Sequence, residues 1–213
     1  MIVKEIHTSF QLKAPYYTLN ELTAKTKYIW LVCHGYGQLA KFFLRKFSVL
    51  DKTENFFLFP QGLSKFYLDQ HSRVGATWMT KEDRLTEIEN QYAYINSVIF
   101  DELGSDLTSY KINMLGFSQG VAAISRYAAY RKLPVHKLIL WGGAIPPELT
   151  KEDFDFLYNE SEINMVIGKS DQYYSVEAYE IEVARAKAIM GENVRFTVFD
   201  GGHEITTEQL LKL

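Results

Sequence analysis

Residues 116–120 read Gly116-Phe117-Ser118-Gln119-Gly120, directly after a strand-like run and directly before a helix-like run, Val121–Arg131. A serine between a strand end and a helix start lies on a tight, strained turn, and flanking glycines let the strand and the helix pack closely. Such a turn holds the hydroxyl of Ser118 out of the fold and towards a substrate. The stretch therefore predicts a strand, an exposed serine nucleophile and a helix in direct succession.

Short apolar runs alternate with longer helix-like runs along the rest of the chain. The predicted strands are Ile29–Cys33, Phe56–Phe59, Ile112–Leu115, Lys137–Trp141, Asn164–Ile167 and Val194–Phe199. The predicted helices are Ala40–Leu50, Leu85–Leu103, Val121–Arg131, Val176–Met190 and Thr206–Leu213. Most of these strands are continuously apolar, as strands covered on both faces are. The repeated strand–helix–strand order predicts an α/β fold with a mainly parallel sheet and helices on both faces.

The N-terminal region has a different pattern. Glu5–Lys13 and Tyr16–Leu19 flank Pro15 and are predicted as an antiparallel pair of strands at the sheet edge. No repeat or Gly/Ser/Pro-rich linker divides the chain, so a single domain spanning residues 1–213 is expected. The connecting segments Gly62–Thr77 and Gly142–Asn159 are too short for a large lid, which predicts an open site.

Composition and charge argue against several classes of protein. The chain has 23 basic and 26 acidic residues, a net charge of −3, and no basic stripe, so nucleic acid is not an expected partner. No apolar run reaches the roughly 18 residues of a membrane span, and the N-terminus lacks the pattern of a signal peptide. The single cysteine, Cys33, excludes an internal disulfide. A cytoplasmic location is therefore expected. The sequence leaves the choice between a monomer and a homodimer undecided.

Reactive residues that follow strands are the candidates for chemistry, because ligands bind at the carboxyl ends of strands in such a sheet. A serine nucleophile needs a general base and a group that orients the base. His203 follows the last predicted strand in a glycine-rich loop, whereas His136 precedes its strand. Asp171 follows the fifth predicted strand and is the favoured acid. The resulting order, Ser118, Asp171, His203, is that of the α/β-hydrolases.

Other carboxylates and histidines fit these roles less well. Asp200 lies three residues before His203 and needs a sharp chain reversal to reach the ring. His7 and His71 do not follow a predicted strand. The remaining aspartates considered lie in a charged, helix-like stretch or precede the serine in the chain: Asp153, Asp155, Asp51 and Asp69.

Two backbone N–H groups are predicted to stabilise the oxyanion that forms when the serine attacks an acyl carbon. The N–H of Gln119 directly follows the nucleophile and lies at a helix N-terminus. The second donor is expected in the loop His34-Gly35-Tyr36-Gly37-Gln38, with the N–H of Tyr36 as the candidate. His34 is then expected to fix this loop, although a plain strand-to-helix turn is the alternative.

Further residues have weaker claims to a function. Cys33 ends a strand and is expected to be a small buried residue rather than a nucleophile. His34, Asp171 and His203 are a conceivable metal set, but no His-x-His or cysteine pair supports it, so neither a metal nor a cofactor is predicted. Aromatic residues of loop-like segments are expected to line an acyl pocket or simply to pack: Trp78, Tyr173, Tyr174, Phe66 and Tyr67.

Together these motifs resemble the phospholipase/carboxylesterase family of small α/β-hydrolases, the group that includes acyl-protein thioesterases. The anchors of the resemblance are His34–Gly37, Phe59–Gly62, Trp78, Gly116–Gly120, Gly168–Asp171 and Gly201–Glu204. The resemblance implies an α/β-hydrolase fold and a triad of Ser118, Asp171 and His203. It also implies an oxyanion hole formed by the amides of Tyr36 and Gln119.

The chain departs from the family pattern around the expected pocket. Tyr36 and Gln38 replace a smaller aliphatic residue and an aspartate, Val121 replaces a glycine, and Tyr173-Tyr174 stands where the family has Val-Pro. These changes leave the reacting groups intact. The predicted function is a serine hydrolase that cleaves small-molecule carboxylic esters or thioesters. A non-catalytic binding protein on the same scaffold, an amidase and an acyltransferase are the alternatives.

Overall fold

The computed structural model describes residues 1–157 and 161–213 of the chain. The strands are β1 (Tyr16–Leu19), β2 (Tyr28–Cys33), β3 (Asn55–Pro60), β4 (Ser64–Leu68), β5 (Arg73–Thr77), β6 (Lys111–Phe117), β7 (Val135–Trp141), β8 (Glu162–Gly168) and β9 (Val194–Phe199). The α-helices are α1 (Ala40–Phe43), α2 (Arg84–Leu103), α3 (Gln119–Arg131), α4 (Val176–Met190) and α5 (Thr207–Leu210). Two 3-10 helices cover Leu44–Val49 and Lys151–Phe154.

The order of strands in the main sheet places the loops after β2 and β6 side by side. Seven strands lie in the order β1-β3-β2-β6-β7-β8-β9, and β4 and β5 form a separate hairpin. Strand β1 is antiparallel to β3, and the other neighbours in the main sheet are parallel. Because β3 and β6 lie on opposite sides of β2, the chain changes direction across the sheet between β2 and β6. Ligands of α/β proteins bind outside the carboxyl ends of strands at such a switch point.

The central strands are buried on both faces, which explains their continuously apolar sequences. In β2, Ile29 and Leu31 belong to a buried cluster that also contains residues of α2 and α3. Trp30 and Val32 belong to the cluster on the opposite face, which includes Phe47 of the first 3-10 helix. Successive side chains of a strand point to opposite faces, so each face needs its own cover. The predicted α/β class, with helices on both faces of a mainly parallel sheet, is confirmed.

Most predicted elements are present, with boundaries shifted by one or two residues. The helix predicted over Ala40–Leu50 is an exception, since it is divided into α1 and a 3-10 helix. The tighter turn is visible where the N–H of Leu50 donates to the carbonyl oxygen of Phe47 at 3.1 Å. The last helix is shorter than predicted and begins after Thr206, whose hydroxyl accepts from the N–H of Gln209 at 3.4 Å.

The predicted antiparallel edge strand Tyr16–Leu19 is confirmed as β1, but its predicted pairing with a strand over Glu5–Lys13 is wrong. Residues 5–13 form no strand, and β1 pairs with β3 instead. The side chains of Ile6 and Phe10 are largely exposed, so this segment buries too little apolar surface to be held as a sheet edge. The hairpin of β4 and β5 lies within Gly62–Thr77, which the sequence pattern presents only as a connection. The end of the segment Gly142–Asn159 lies outside the described residues.

Candidate active site

Ser118 lies on a strained turn between β6 and α3. Its φ of 54° and ψ of −120° are uncommon for a residue with a side chain. Such conformations cost on the order of 1–3 kcal/mol and cluster at functional sites. The N–H of Ser118 donates to the carbonyl oxygen of Trp141 at 2.8 Å, which anchors the turn. A Cβ on Gly116 would lie 2.4 Å from the carbonyl oxygen of Gly120, so the strand and the helix approach this closely only because position 116 is glycine.

Asp171 and His203 form a hydrogen-bonded pair where β8 and β9 end. Nδ1 of His203 lies 2.7 Å from Oδ2 of Asp171, whose side chain is 1% exposed. The other carboxylate oxygen accepts from the backbone N–H groups of Tyr173 and Tyr174 at 2.8 and 3.3 Å. Both oxygens of the carboxylate are therefore engaged, and its orientation towards the imidazole is fixed.

The ring of His203 is held in one orientation and one tautomer. A neutral imidazole that donates from Nδ1 to a carboxylate carries its acceptor lone pair on Nε2. The rings of Phe117 and Tyr173 contact the imidazole, with centroid distances of 4.9 and 4.6 Å. The loop itself is tied to the end of β8, since the N–H of Ser170 donates to the carbonyl oxygen of Gly201 at 2.9 Å. This arrangement has the features that a general base requires.

A cavity of about 520 Å³ brings the predicted residues together. Ser118 and His203 both line it. Among the described residues, the hydroxyl of Ser118 makes no hydrogen bond to His203, and such bonds are often long in enzymes without substrate. The lining also includes four residues predicted as oxyanion donors or pocket aromatics: Tyr36, Gln119, Tyr173 and Tyr174.

Sequence reasoning misses the loop after β7, which forms part of the cavity wall. Gly142, Gly143 and Ala144 line the cavity. A Cβ on Gly143 would lie 2.2 Å from the carbonyl oxygen of Ser118, so this loop packs directly against the strained turn at Ser118. The signal in the sequence is the glycine pair that follows a strand at the same edge of the sheet as Ser118.

The backbone N–H groups of Gly35, Tyr36 and Gly37 in the loop after β2 differ in their hydrogen bonds. The N–H groups of Gly35 and Gly37 donate to a side-chain and a backbone oxygen at 2.9 and 2.8 Å. The N–H of Tyr36 lies between them and has no acceptor within residues 1–157 and 161–213. The N–H of Gln119 begins α3, where the first N–H groups lack intrahelical acceptors. Both residues line the cavity.

His34 is a buried residue that fixes the loop after β2. Its Nε2 accepts from the N–H of Gly62 at 3.0 Å and from the side-chain amide of Gln61 at 2.9 Å. Its Nδ1 donates to the carbonyl oxygen of Gly35 at 2.8 Å. Burial lowers the pKa of His34 to about 4, although the hydrogen bond to Gly35 favours the charged ring. The ring is therefore neutral and serves as a connector between loops.

The aromatic residues predicted for the pocket separate into two groups. Tyr173 and Tyr174 line the cavity, with Tyr173 largely exposed. The structure corrects the assignment of Trp78, which is only 2% exposed and does not line this cavity. Phe66 and Tyr67 lie on β4 and do not line it either.

Cys33 does not line the cavity, and His34, Asp171 and His203 are not among the described side chains that lie close enough together to share a metal ion. Cys33 is fully buried at the end of β2, and burial raises the pKa of its thiol. Among the described residues, the group of three side chains close enough to share a metal ion is Glu5, His7 and Asp83, all exposed. No helix within the described part of the chain is long and apolar enough to cross a membrane.

The sequence profile of the phospholipase/carboxylesterase family matches residues 19–213. The chain belongs to this family. Members of the phospholipase/carboxylesterase family are hydrolases that act on esters, so the predicted enzyme class and the predicted family are confirmed. No curated protein sequence matches the chain.

Solved structures with the same fold come from plants and bacteria. Acyl-protein thioesterase 2 of Zea mays superposes with a TM-score of 0.69 at 16% identity, covering 94% of this chain and 96% of the other. A carboxylesterase of Bacillus cereus superposes with a TM-score of 0.64 at 14% identity, covering 93% of this chain and 91% of the other. At these identities the likeness shows the α/β-hydrolase fold.

Proposed function

We propose that this chain hydrolyses carboxylic esters or thioesters through a covalent acyl-enzyme, with Ser118 as nucleophile, His203 as general base and Asp171 as orienting acid. The observation that carries the proposal is the 2.7 Å hydrogen bond between His203 and Asp171 at the wall of the cavity that Ser118 also lines. A strained serine and an oriented imidazole in one cavity are the two parts that acyl transfer requires.

The reaction has two halves that use the same histidine. Ser118 Oγ attacks the acyl carbon while Nε2 of His203 takes the hydroxyl proton, and Asp171 stabilises the imidazolium. The proton then passes to the departing alcohol or thiol as the bond from the acyl carbon to the leaving group breaks. Water attacks the acyl-enzyme and gives its proton to His203, which returns it to Ser118 as the acid leaves.

The N–H groups of Tyr36 and Gln119 would hold the negative oxygen of both tetrahedral intermediates. Two observations support this role. Both amides belong to residues of the cavity wall, and neither N–H donates a hydrogen bond within its own loop. Prearranged donors of this kind are worth about 10²–10³-fold in rate for each donor. The dipole of α3 adds a favourable field at its N-terminus.

The walls of the cavity favour a small-molecule acyl substrate. A volume of about 520 Å³ lies within the usual range of ligand sites, and Tyr36, Tyr173 and Tyr174 provide apolar faces beside polar hydroxyl groups. Ester and thioester bonds are both compatible with the triad. The names of the relatives, a thioesterase and a carboxylesterase, point in the same direction.

We also propose that the enzyme works in the cytoplasm and that residues 1–213 form one catalytic domain.

Hydrolysis of p-nitrophenyl esters and acyl thioesters of increasing chain length tests the proposal. Ser118→Ala should lower kcat by about 10⁴–10⁶-fold, because no other side chain supplies the nucleophile. Ser125→Ala is the matched control, because it changes the serine within α3, the helix that Ser118 precedes. It should leave kcat unchanged. A fluorophosphonate should label the unaltered protein and the control but not Ser118→Ala. Near-normal turnover by Ser118→Ala would exclude the mechanism, and an unlabelled, inactive but folded protein would favour a binding function.

A further inference from the structure

The two proposed oxyanion donors belong to different parts of the chain. The N–H of Tyr36 lies in the loop after β2, and the N–H of Gln119 lies at the start of α3. Both must point at one oxygen atom, so the two loops need a fixed spacing. Functional groups have to be held within about 0.5 Å of the productive geometry to work well.

Trp78 is bonded to both of these loops. Its indole N–H donates to the carbonyl oxygen of His34 at 2.7 Å, two residues before Tyr36. Its backbone N–H donates to Oε1 of Gln119 at 3.2 Å. Its ring also packs on the imidazole of His34, with a centroid distance of 5.0 Å. A single buried residue therefore spans the distance between the two loops.

The side chain of Gln119 completes the link from its own end. Its amide nitrogen donates to Oγ1 of Thr77 at 2.7 Å and to the carbonyl oxygen of Met79 at 3.1 Å. The residues on both sides of Trp78, Thr77 and Met79, thus hold the side chain of the residue that carries one of the donors. From the opposite direction, the amide of Gln91 on α2 donates to the carbonyl oxygen of Trp78 at 2.6 Å and ties the connection to the core.

We infer that Trp78 is a positioning residue for the oxyanion hole, setting the distance between the N–H groups of Tyr36 and Gln119. The inference rests on the proposed function and names a residue that acts at the site without lining its cavity. It also accounts for a buried tryptophan whose two N–H groups donate to His34 and to Gln119. Trp78 touches no reacting atom, so its effect passes through the two loops.

Trp78→Phe is the direct test, because phenylalanine lacks the indole N–H that holds the carbonyl of His34. Trp30→Phe is the matched control. Trp30 is also buried, and its indole N–H donates to Oδ1 of Asn55 at 2.8 Å, near the start of β3 rather than at the carboxyl ends of the strands. Both variants lose one indole hydrogen bond of similar length from a buried tryptophan, so they should lose similar stability. Thermal unfolding measures that loss.

The two variants should differ in catalysis. Trp78→Phe should lower kcat by about tenfold to a hundredfold with little change in KM, since a donor displaced by about 1 Å costs up to about 10²-fold. Trp30→Phe should keep kcat. A thionoester, which has sulfur in place of the carbonyl oxygen, separates positioning from a general structural defect, because sulfur is a poor hydrogen-bond acceptor. The ratio of ester to thionoester rates should fall by about the same factor in Trp78→Phe and stay constant in Trp30→Phe.

Gln119→Met provides a second route, because it keeps the backbone N–H of position 119 but removes the amide that binds the segment around Trp78. It should lower kcat and the ester-to-thionoester ratio in the same way, and it decides the question if Trp78→Phe does not fold. The inference is overturned if the folded variants retain the ratio of the unaltered protein, or if Trp30→Phe loses it equally. Activity of Ser118→Ala, measured in parallel, reports separately on the proposed function.

Discussion

His34 and His203 both follow a strand at the same edge of the sheet, but their surroundings are opposite. The ring nitrogens of His34 are bonded to peptide and amide groups, and the residue is fully buried. The ring of His203 is bonded to the carboxylate of Asp171 and lines the cavity. A position just after a strand brings a histidine to the edge of the sheet where the parallel strands end. Its hydrogen-bond partners then decide whether the ring can exchange a proton.

The charge of the partners is the physical difference between the two sites. Nε2 of His34 accepts hydrogen bonds from two N–H groups. A proton added at Nε2 would be repelled by both N–H groups, and burial would keep water from solvating the charge. The imidazolium of His203 would lie against the negative charge of Asp171, which compensates it. The first histidine is suited to holding a loop, and the second to carrying a proton during acyl transfer.

The largest test of this contrast is the replacement of His203 by glutamine in an activity assay. His203→Gln should lower kcat by about 10⁴–10⁶-fold, and adding Ser118→Ala should lower it little further, because residues that act as a unit are not additive. His71→Gln changes an exposed histidine on the loop between β4 and β5 and is the control. Retention of kcat by His203→Gln, or additive losses in the double variant, would contradict the proposed role of His203.

The second test concerns the dependence of stability on pH. Because the pKa of His34 is about 4 in the folded chain and 6.5 ordinarily, its contribution to stability is full above pH 6.5 and is lost as the pH falls towards 4. Between pH 7 and pH 5, the free energy of unfolding should fall by about 2 kcal/mol more in the unaltered protein than in His34→Gln. Urea titrations at the two pH values measure the difference. Equal losses in both proteins would show that His34 is not the group responsible.

The smallest test concerns the aromatic ring beside each histidine. Trp78 packs on His34 inside the protein, whereas Tyr173 packs edge-on against His203 and is 66% exposed. Tyr173→Leu should lower kcat/KM by about two- to fivefold, since an aromatic contact of this kind contributes roughly 0.5–1 kcal/mol. Tyr67→Leu is a close match, because Tyr67 is 65% exposed and contacts His71 at 5.1 Å. Equal effects of the two changes would contradict a role of Tyr173 at the site.

Some of the site can be predicted because it follows from local chemistry. The motif around Ser118 is a compact local signal, and its strand and helix can be recognised on either side of it. The positions of Asp171 and His203 after strands follow from the alternation of apolar and helical runs. The parallel strands then bring these positions to one edge, so the pair could be named before its 2.7 Å hydrogen bond was known.

Other parts could not be predicted because they depend on contacts between distant segments. The hairpin of β4 and β5 lacks the continuous apolar pattern of the central strands, since much of it is exposed. Residues 5–13 have apolar side chains typical of a strand but pair with none of the described strands. Trp78 resembles a pocket residue in the sequence, and only its hydrogen bonds to His34 and Gln119 identify it as a connector.

The amino-acid sequence by itself determined the α/β class, the family, the strained serine and the chain order of the three reactive residues. These depend on the period of apolar residues and on a few short motifs, which are local properties. The tertiary structure decided that Asp171 engages His203, that His34 is neutral and buried, and that Trp78 joins the two loops beside the cavity. These depend on burial and on hydrogen bonds between residues far apart in the chain, which no local pattern contains.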